Sequence, residues 1–282
     1  MNSDPLSTPT PPADRLFYAT GVLLDADDFK AEQLYHRGRL ARSLAYLHGR
    51  GTIAGLKVEW HPATAATTGS NPQPAKEEEI VVTPGLAIDR LGRLIEVPRS
   101  ACVRLDRWYE SQKPDDLISG LHGDPVNGVL VDVFLRFVAC ERGKTPAFAP
   151  GPFDALDAVT PSRLRDSYEL KLVIRTEDTP PVPFNPWAAI TPASSLENLH
   201  TAILDSWHDG TDAWDETGNL TPLAEHVPGE DPTAVLLARF TIPGTPGANE
   251  TRPIRTDGAA IAPNNQIRPF VYPSGLLAQW KG

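Results

Sequence analysis

The run VLVDVFLRFVAC, residues 129–140, decides the fold. Val129, Val131, Val133, Leu135 and Phe137 point to one side of an extended chain, while Leu130, Phe134 and Val138 point to the other. A strand apolar on both faces belongs in the middle of a packed structure, with layers above and below it. Downstream, a Pro/Gly-rich stretch (143–152) reads as a loop and Thr160-Pro161 as a turn. They lead to Ser167–Arg175, where Tyr168, Leu170, Leu172 and Ile174 alternate. Ala234–Ile242 is a further apolar strand, and these segments are expected to share one sheet.

Upstream, EIVVTPGLAIDRLGRLIEVP (79–98) reads as strands closing in a hairpin. Ile80 and Val82 alternate, as do Leu86 and Ile88, and Leu94–Val97 returns after a loop whose Gly92 supplies positive φ. Before it, Leu56, Val58 and Trp60 share one face of a strand entered through Gly49, Gly51 and Gly55, and residues 60–79 read as an exposed loop. A helix is expected over Asp25–Leu47. Asp25 is an N-cap with Asp28 three residues on, Phe29, Leu40, Leu44 and Leu47 recur at helical spacing, and Leu34, Ala41 and Ala45 form an adjoining seam. Its other face presents Glu32, His36 and Arg39 as candidate interaction residues. Residues 107–127 read as a polar connection with a short helical turn.

These patterns give a mainly β (α+β) fold of antiparallel, sandwich- or barrel-like sheets, with one long N-terminal helix and one shorter helix near 195–206. Ser194 and Glu197 suggest a capping box for the shorter helix, with Leu196, Leu199, Ile203 and Leu204 on its apolar side. Residues 1–14, rich in Pro, Ser and Thr, read as a flexible arm, 15–177 as the main domain, and 178–194, with five prolines, as a linker. Residues 195–282 then form a smaller C-terminal region. It ends in an apolar, aromatic tail in which Phe270, Tyr272, Leu276, Leu277 and Trp280 are candidates for docking on the chain's own body or on a neighbour.

Composition narrows the function. Proline makes up 29 of 282 residues, about twice ordinary usage. Each proline removes a backbone donor, so strands and ordered turns are favoured over a helical bundle. A formal net charge of -10 with no block of lysine or arginine argues against a nucleic-acid partner. The opening residues lack a basic and apolar leader, and no long apolar run exists, so synthesis in the cytoplasm without direct membrane insertion is expected. Cys102 and Cys140, flanked by apolar residues, read as buried, inert thiols.

Sequence motifs for chemistry are weak. Gly49–Gly55 resembles a dinucleotide fingerprint but follows a helix and precedes a strand, the reverse of the order that places a pyrophosphate on a helix N-terminus. His208, Asp209, Asp212, Asp215 and Glu216 are oxygen-rich, yet their spacing departs from a calcium loop. The seven histidines show no zinc spacing, Ser70 and Ser274 lack a nucleophile elbow, and Asp115-Asp116 sits in a polar stretch. No catalytic residue, cofactor or metal is assigned.

The segment FYATGVLLDADDFKAEQLYHRGRLARSLAYLHGRGTIAGLKVEW (17–60) resembles a family associated with contractile phage tail-like particles, the extracellular contractile injection systems. Those proteins carry a similar ATG-x-LL…DF-x-x-EQ-x-Y opening, then a helix, an LHG-x-G…GL-x-V turn and strand, and a later hairpin like VVTPGLAIDRLGRLIEV. SRLRDSYELKLVI (162–174) is similar to a further segment of theirs, so the resemblance covers about residues 15–175. It implies a non-enzymatic structural subunit, at the baseplate or another peripheral position, that binds copies of itself or tail, baseplate, sheath or spike proteins and is assembled into the particle. Two other readings stay open: a tail-associated carbohydrate- or receptor-binding module, and an envelope-polymer hydrolase.

Overall fold

The computed structural model describes residues 6, 14–68, 71–123, 127–146, 159–185, 187–191, 193–206, 214–215, 217–247, 252–256 and 258–280. The apolar run lies inside strand β8 (Gly128–Pro146), which pairs antiparallel with β9 (Val159–Ile174) and β10 (Val235–Thr245). β7 (Leu121–His122) adds to the start of β8, and β11 (Ile254–Arg255) to the end of β10. Two smaller antiparallel sheets pack near this one. The first contains β1 (Gly51–Gly55), β4 (Gly85–Ile88) and β5 (Leu94–Val97), and the second β2 (Val58–His61), β3 (Glu79–Val82) and β6 (Ala101–Arg104). The expected mainly β, α+β class of layered antiparallel sheets is what forms, and among the described residues no barrel closes.

The core lies where the β8 side chains Val129, Val131, Val133, Leu135 and Phe137 meet Val58, Ile80, Val82, Ile95 and Val97 of the smaller sheets. Phe134, on the opposite face of β8, joins Val173, Ala234 and Leu236 in a second cluster. Leu105 and Tyr109 of helix α2 (Leu105–Ser111) and Leu117 of α3 (Pro114–Ser119) close the core, the latter two in the stretch that the sequence suggested as a polar connection with a short helical turn.

Three expectations need correction. Gly51–Gly55 is itself a strand, with Leu56 at a positive φ of 56° between it and β2. Glycine is required at position 55, where a Cβ would lie 2.0 Å from the Pro84 carbonyl oxygen. The loop at 143–152 and the turn at Thr160-Pro161 are instead ladder up to Pro146 and from Val159, with residues 147–158 outside the description. Cys102 and Cys140 are exposed. Cys102 lies on the outward side of edge strand β6, and Cys140 lies beyond the part of β8 that is covered.

The Pro-rich segment 178–194 does not divide the core, because β10, which follows it, pairs with β8 at the centre of the sheet. Arg239 of β10 ties that segment down by donating from Nη1 to the Pro180 carbonyl at 2.7 Å and from Nη2 to that of Pro181 at 3.0 Å. The same guanidinium forks onto Asp132 at 2.7 and 3.0 Å. Arg175 approaches that carboxylate to 3.3 Å and donates to the Glu225 carbonyl at 2.6 Å. Asp132 and Arg175 are fully buried, so each charge depends on the others for solvation.

Candidate functional site

Helix α1 (Ala26–His48) begins as expected: Asp25 Oδ1 accepts from the amides of Asp27 and Asp28, and Asp28 accepts in return from the Asp25 amide. Its packing follows the expected seam at Ala41 and Ala45 and departs from the expected stripe of large apolar residues. The buried positions are Gly38, Ala41 and Ala45, while Phe29, Leu40 and Leu47 are exposed. Small residues let the helix backbone approach the tip of the β4–β5 hairpin. At Gly92, with φ of 81°, a Cβ would stand 1.7 Å from the Ala41 carbonyl oxygen. The large apolar side chains are thereby turned outward.

Of the expected helix residues, Glu32 accepts from the Tyr18 hydroxyl, and that bond raises the tyrosine's pKa. His36 Nε2 lies 3.8 Å from Glu32, and Arg39 stacks over the ring of Tyr35 at 5.3 Å. These residues form one exposed polar strip with Glu32 half-buried. Ahead of the helix, Phe17 is 83% exposed and Leu23 95%.

The tail splits in two. Residues 265–271 dock on the chain's own body. Asn265 pairs with both backbone groups of Val58, Thr52 donates to the Pro269 carbonyl at 2.9 Å, and Val271 donates to the Thr52 carbonyl at 2.9 Å. Arg268, lowered to about 10 by burial, donates to the Leu56 carbonyl at 2.6 Å. Asn265 and Arg268 carried no sequence signal, since isolated polar residues in a loop resemble solvated ones. Phe270 and Tyr272 stand 6.5 Å apart at the edge of the strap, and Leu276 and Leu277 lie exposed on helix α5 (Ser274–Trp280). The Trp280 side chain lies outside the described residues.

Helix α4 (Leu196–Asp205) is capped by Ser195, which accepts from the Asn198 amide, while Ser194 accepts from Thr191. Ser194 is therefore one residue early as the expected cap. None of its residues is buried, and Leu196, Ile203 and Leu204 are 62–78% exposed.

His226 is a buried titratable group at a surface opening. It borders a cleft of about 120 Å³ lined also by Phe134, Arg136, Lys171, Glu230 and Asp231. Its Nδ1 accepts from the Leu223 amide at 3.0 Å, leaving the proton on Nε2 to be donated to the Ala234 carbonyl at 2.9 Å. Burial lowers its pKa. Both ring nitrogens are thus committed to the fold, and the cleft's charges pair as Arg136 with Glu169 and Asp231 and Lys171 with Glu230. Such an arrangement positions a loop; it does not present a free base.

Among the described residues no group of three or more His, Cys, Asp or Glu converges as a metal site, and no helix is long and apolar enough to cross a membrane. His208, Asp209, Asp212 and Glu216 lie outside the description. Asp215 is occupied as a loop cap, accepting from the amides of Thr217 and Asn219. A scan of protein-family models finds no match, and no curated protein matches the sequence.

Proposed function

We propose that the chain is a non-enzymatic structural subunit of a contractile phage tail-like injection particle. In this reading it sits at the baseplate or another peripheral position, bound to copies of itself and to neighbouring tail proteins. The observation that carries the assembly part is the set of apolar side chains left outside the core: Phe17, Leu23, Leu40 and Leu47 around α1, Leu196 and Leu204 on α4, and Leu276 on α5. Large apolar side chains left in water on several helices are surface that a partner chain can cover. The resemblance over residues 17–60 and 162–174 supports the particle class.

Co-sedimentation tests this reading. Expressed with the sheath, tube and baseplate proteins of such a particle, the chain should pellet with the assembled particle and appear in its mass spectrum in a fixed ratio to a baseplate protein. Recovery solely as a soluble monomer beside intact particles would overturn it.

A further inference from the structure

β8 and β9 keep one register from Val131 opposite Ile174 out to Pro146 opposite Val159. Among the described residues, β10 covers β8 only from Gly128 to Leu135, and no second strand lies beside β9. Every residue from Ala139 to Thr145 and from Pro161 to Asp166 is exposed. At about 3.4 Å per residue, this two-stranded arm reaches on the order of 25 Å beyond the packed sheet. A hairpin with no face to pack on is at best marginally stable in water.

Charge on the arm is sorted by face. Arg142 stands opposite Arg163, and Lys144 and Arg165 lie two residues from them along their own strands. By the alternation of the pleat all four cations share one face, while Glu141, opposite Leu164, and Asp166, opposite Ala139, take the other. Like charges directly opposite one another weaken a ladder, so the isolated arm carries a repulsion that an acidic surface would relieve. The chain as a whole has a formal net charge of -10, so its remainder is more acidic still.

We propose that the β8–β9 arm is an intersubunit clasp whose cationic face, Arg142, Lys144, Arg163 and Arg165, docks on the acidic body of a second copy of this chain. The proposal rests on the assembly reading and names the element that makes the contact between like subunits. A nucleic acid also complements four cations, but the acidic remainder of the chain repels a polyanion and attracts the arm of its twin. One copy's arm meeting another copy's body is a heterologous contact, which closes into a ring or propagates along a row.

The test is sedimentation velocity of the full chain at low and high salt, with Arg163→Glu/Arg165→Glu and Arg142→Glu/Lys144→Glu as two independent reversals and Leu164→Ala as the control on the opposite face. Wild type should self-associate at low salt and dissociate as the Debye length shrinks. Either reversal should weaken association tenfold or more, and Leu164→Ala should change it less than twofold. A photocrosslinker on Cys140, in a Cys102→Ser background, should yield a covalent dimer. Reversals that sediment like wild type would overturn the clasp, as would a wild type that stays monomeric or shifts only when a DNA or RNA oligonucleotide is added. Self-association untouched by the reversals would sink the arm alone, since co-sedimentation with particles tests the assembly reading separately.

Discussion

The inner and outer halves of β8 are one strand in one ladder, yet different forces hold them. From Gly128 to Val138 the strand has neighbours on both edges over most of its length, apolar layers against it and a buried carboxylate tied to two arginines. From Ala139 to Pro146 it has, among the described residues, β9 alone. Backbone hydrogen bonds are common to both halves. Burial is not, and since burial is the dominant favourable contribution to folding, opening should be costly in the first half and easy in the second.

The strongest way to break this contrast is Asp132→Ala, which leaves Arg239 without its carboxylate and the buried Arg175 with Glu177 as its one remaining counter-charge. A loss of about 3–5 kcal/mol in urea unfolding is expected. Next comes a matched pair. Leu135→Ala, at a fully buried site, should cost about 2–5 kcal/mol, whereas Leu164→Ala on the arm should stay within about 0.5 kcal/mol. Equal losses at the two leucines would erase the distinction.

The smallest effect is a pH dependence at His226, which lies beside Phe134. Its folded pKa is depressed, chiefly by burial, with Arg50 and Arg90 pushing the same way and Glu225 and the Ala234 carbonyl opposing. The unfolded chain therefore binds the extra proton first. The stability due to the neutral ring is complete above the ordinary value near 6.5 and is lost as pH falls through the folded value. Urea midpoints across that window should drop with acid in wild type, and the slope should flatten in His226→Gln.

Much of the inner half was legible in sequence, as were the Asp25 cap and the β4–β5 hairpin closing at Gly92. These features repeat apolar residues at strand or helix period, or place a residue with one conformational use at a turn. The outer half was not legible. Residues 141–146 and 161–166 are charged, Pro- or Gly-bearing, and pair without packing, so their ladder leaves no hydrophobic period to read. The docking side of α1 was legible in part: Ala41 and Ala45 stood in the expected seam, but the large apolar residues that mark a buried stripe face outward, and Gly38 gave no signal. The candidates Glu32, His36, Arg39, Tyr272, Leu276 and Leu277 were readable as lying outside the core, whereas the anchors Asn265 and Arg268 were not.

By itself the sequence determined that this chain builds antiparallel β layers around residues 129–138, because a strand apolar on both faces has no stable place except between other layers. It also determined where the first helix starts, because a cap acts on amides two or three residues away. Tertiary structure alone decided that β10 joins β8 across the Pro-rich segment, that Asp132 gathers Arg175 and Arg239, and that one ladder runs on into an uncovered cationic arm. Those outcomes depend on which residues distant in the chain become neighbours, and local spacing carries no record of that.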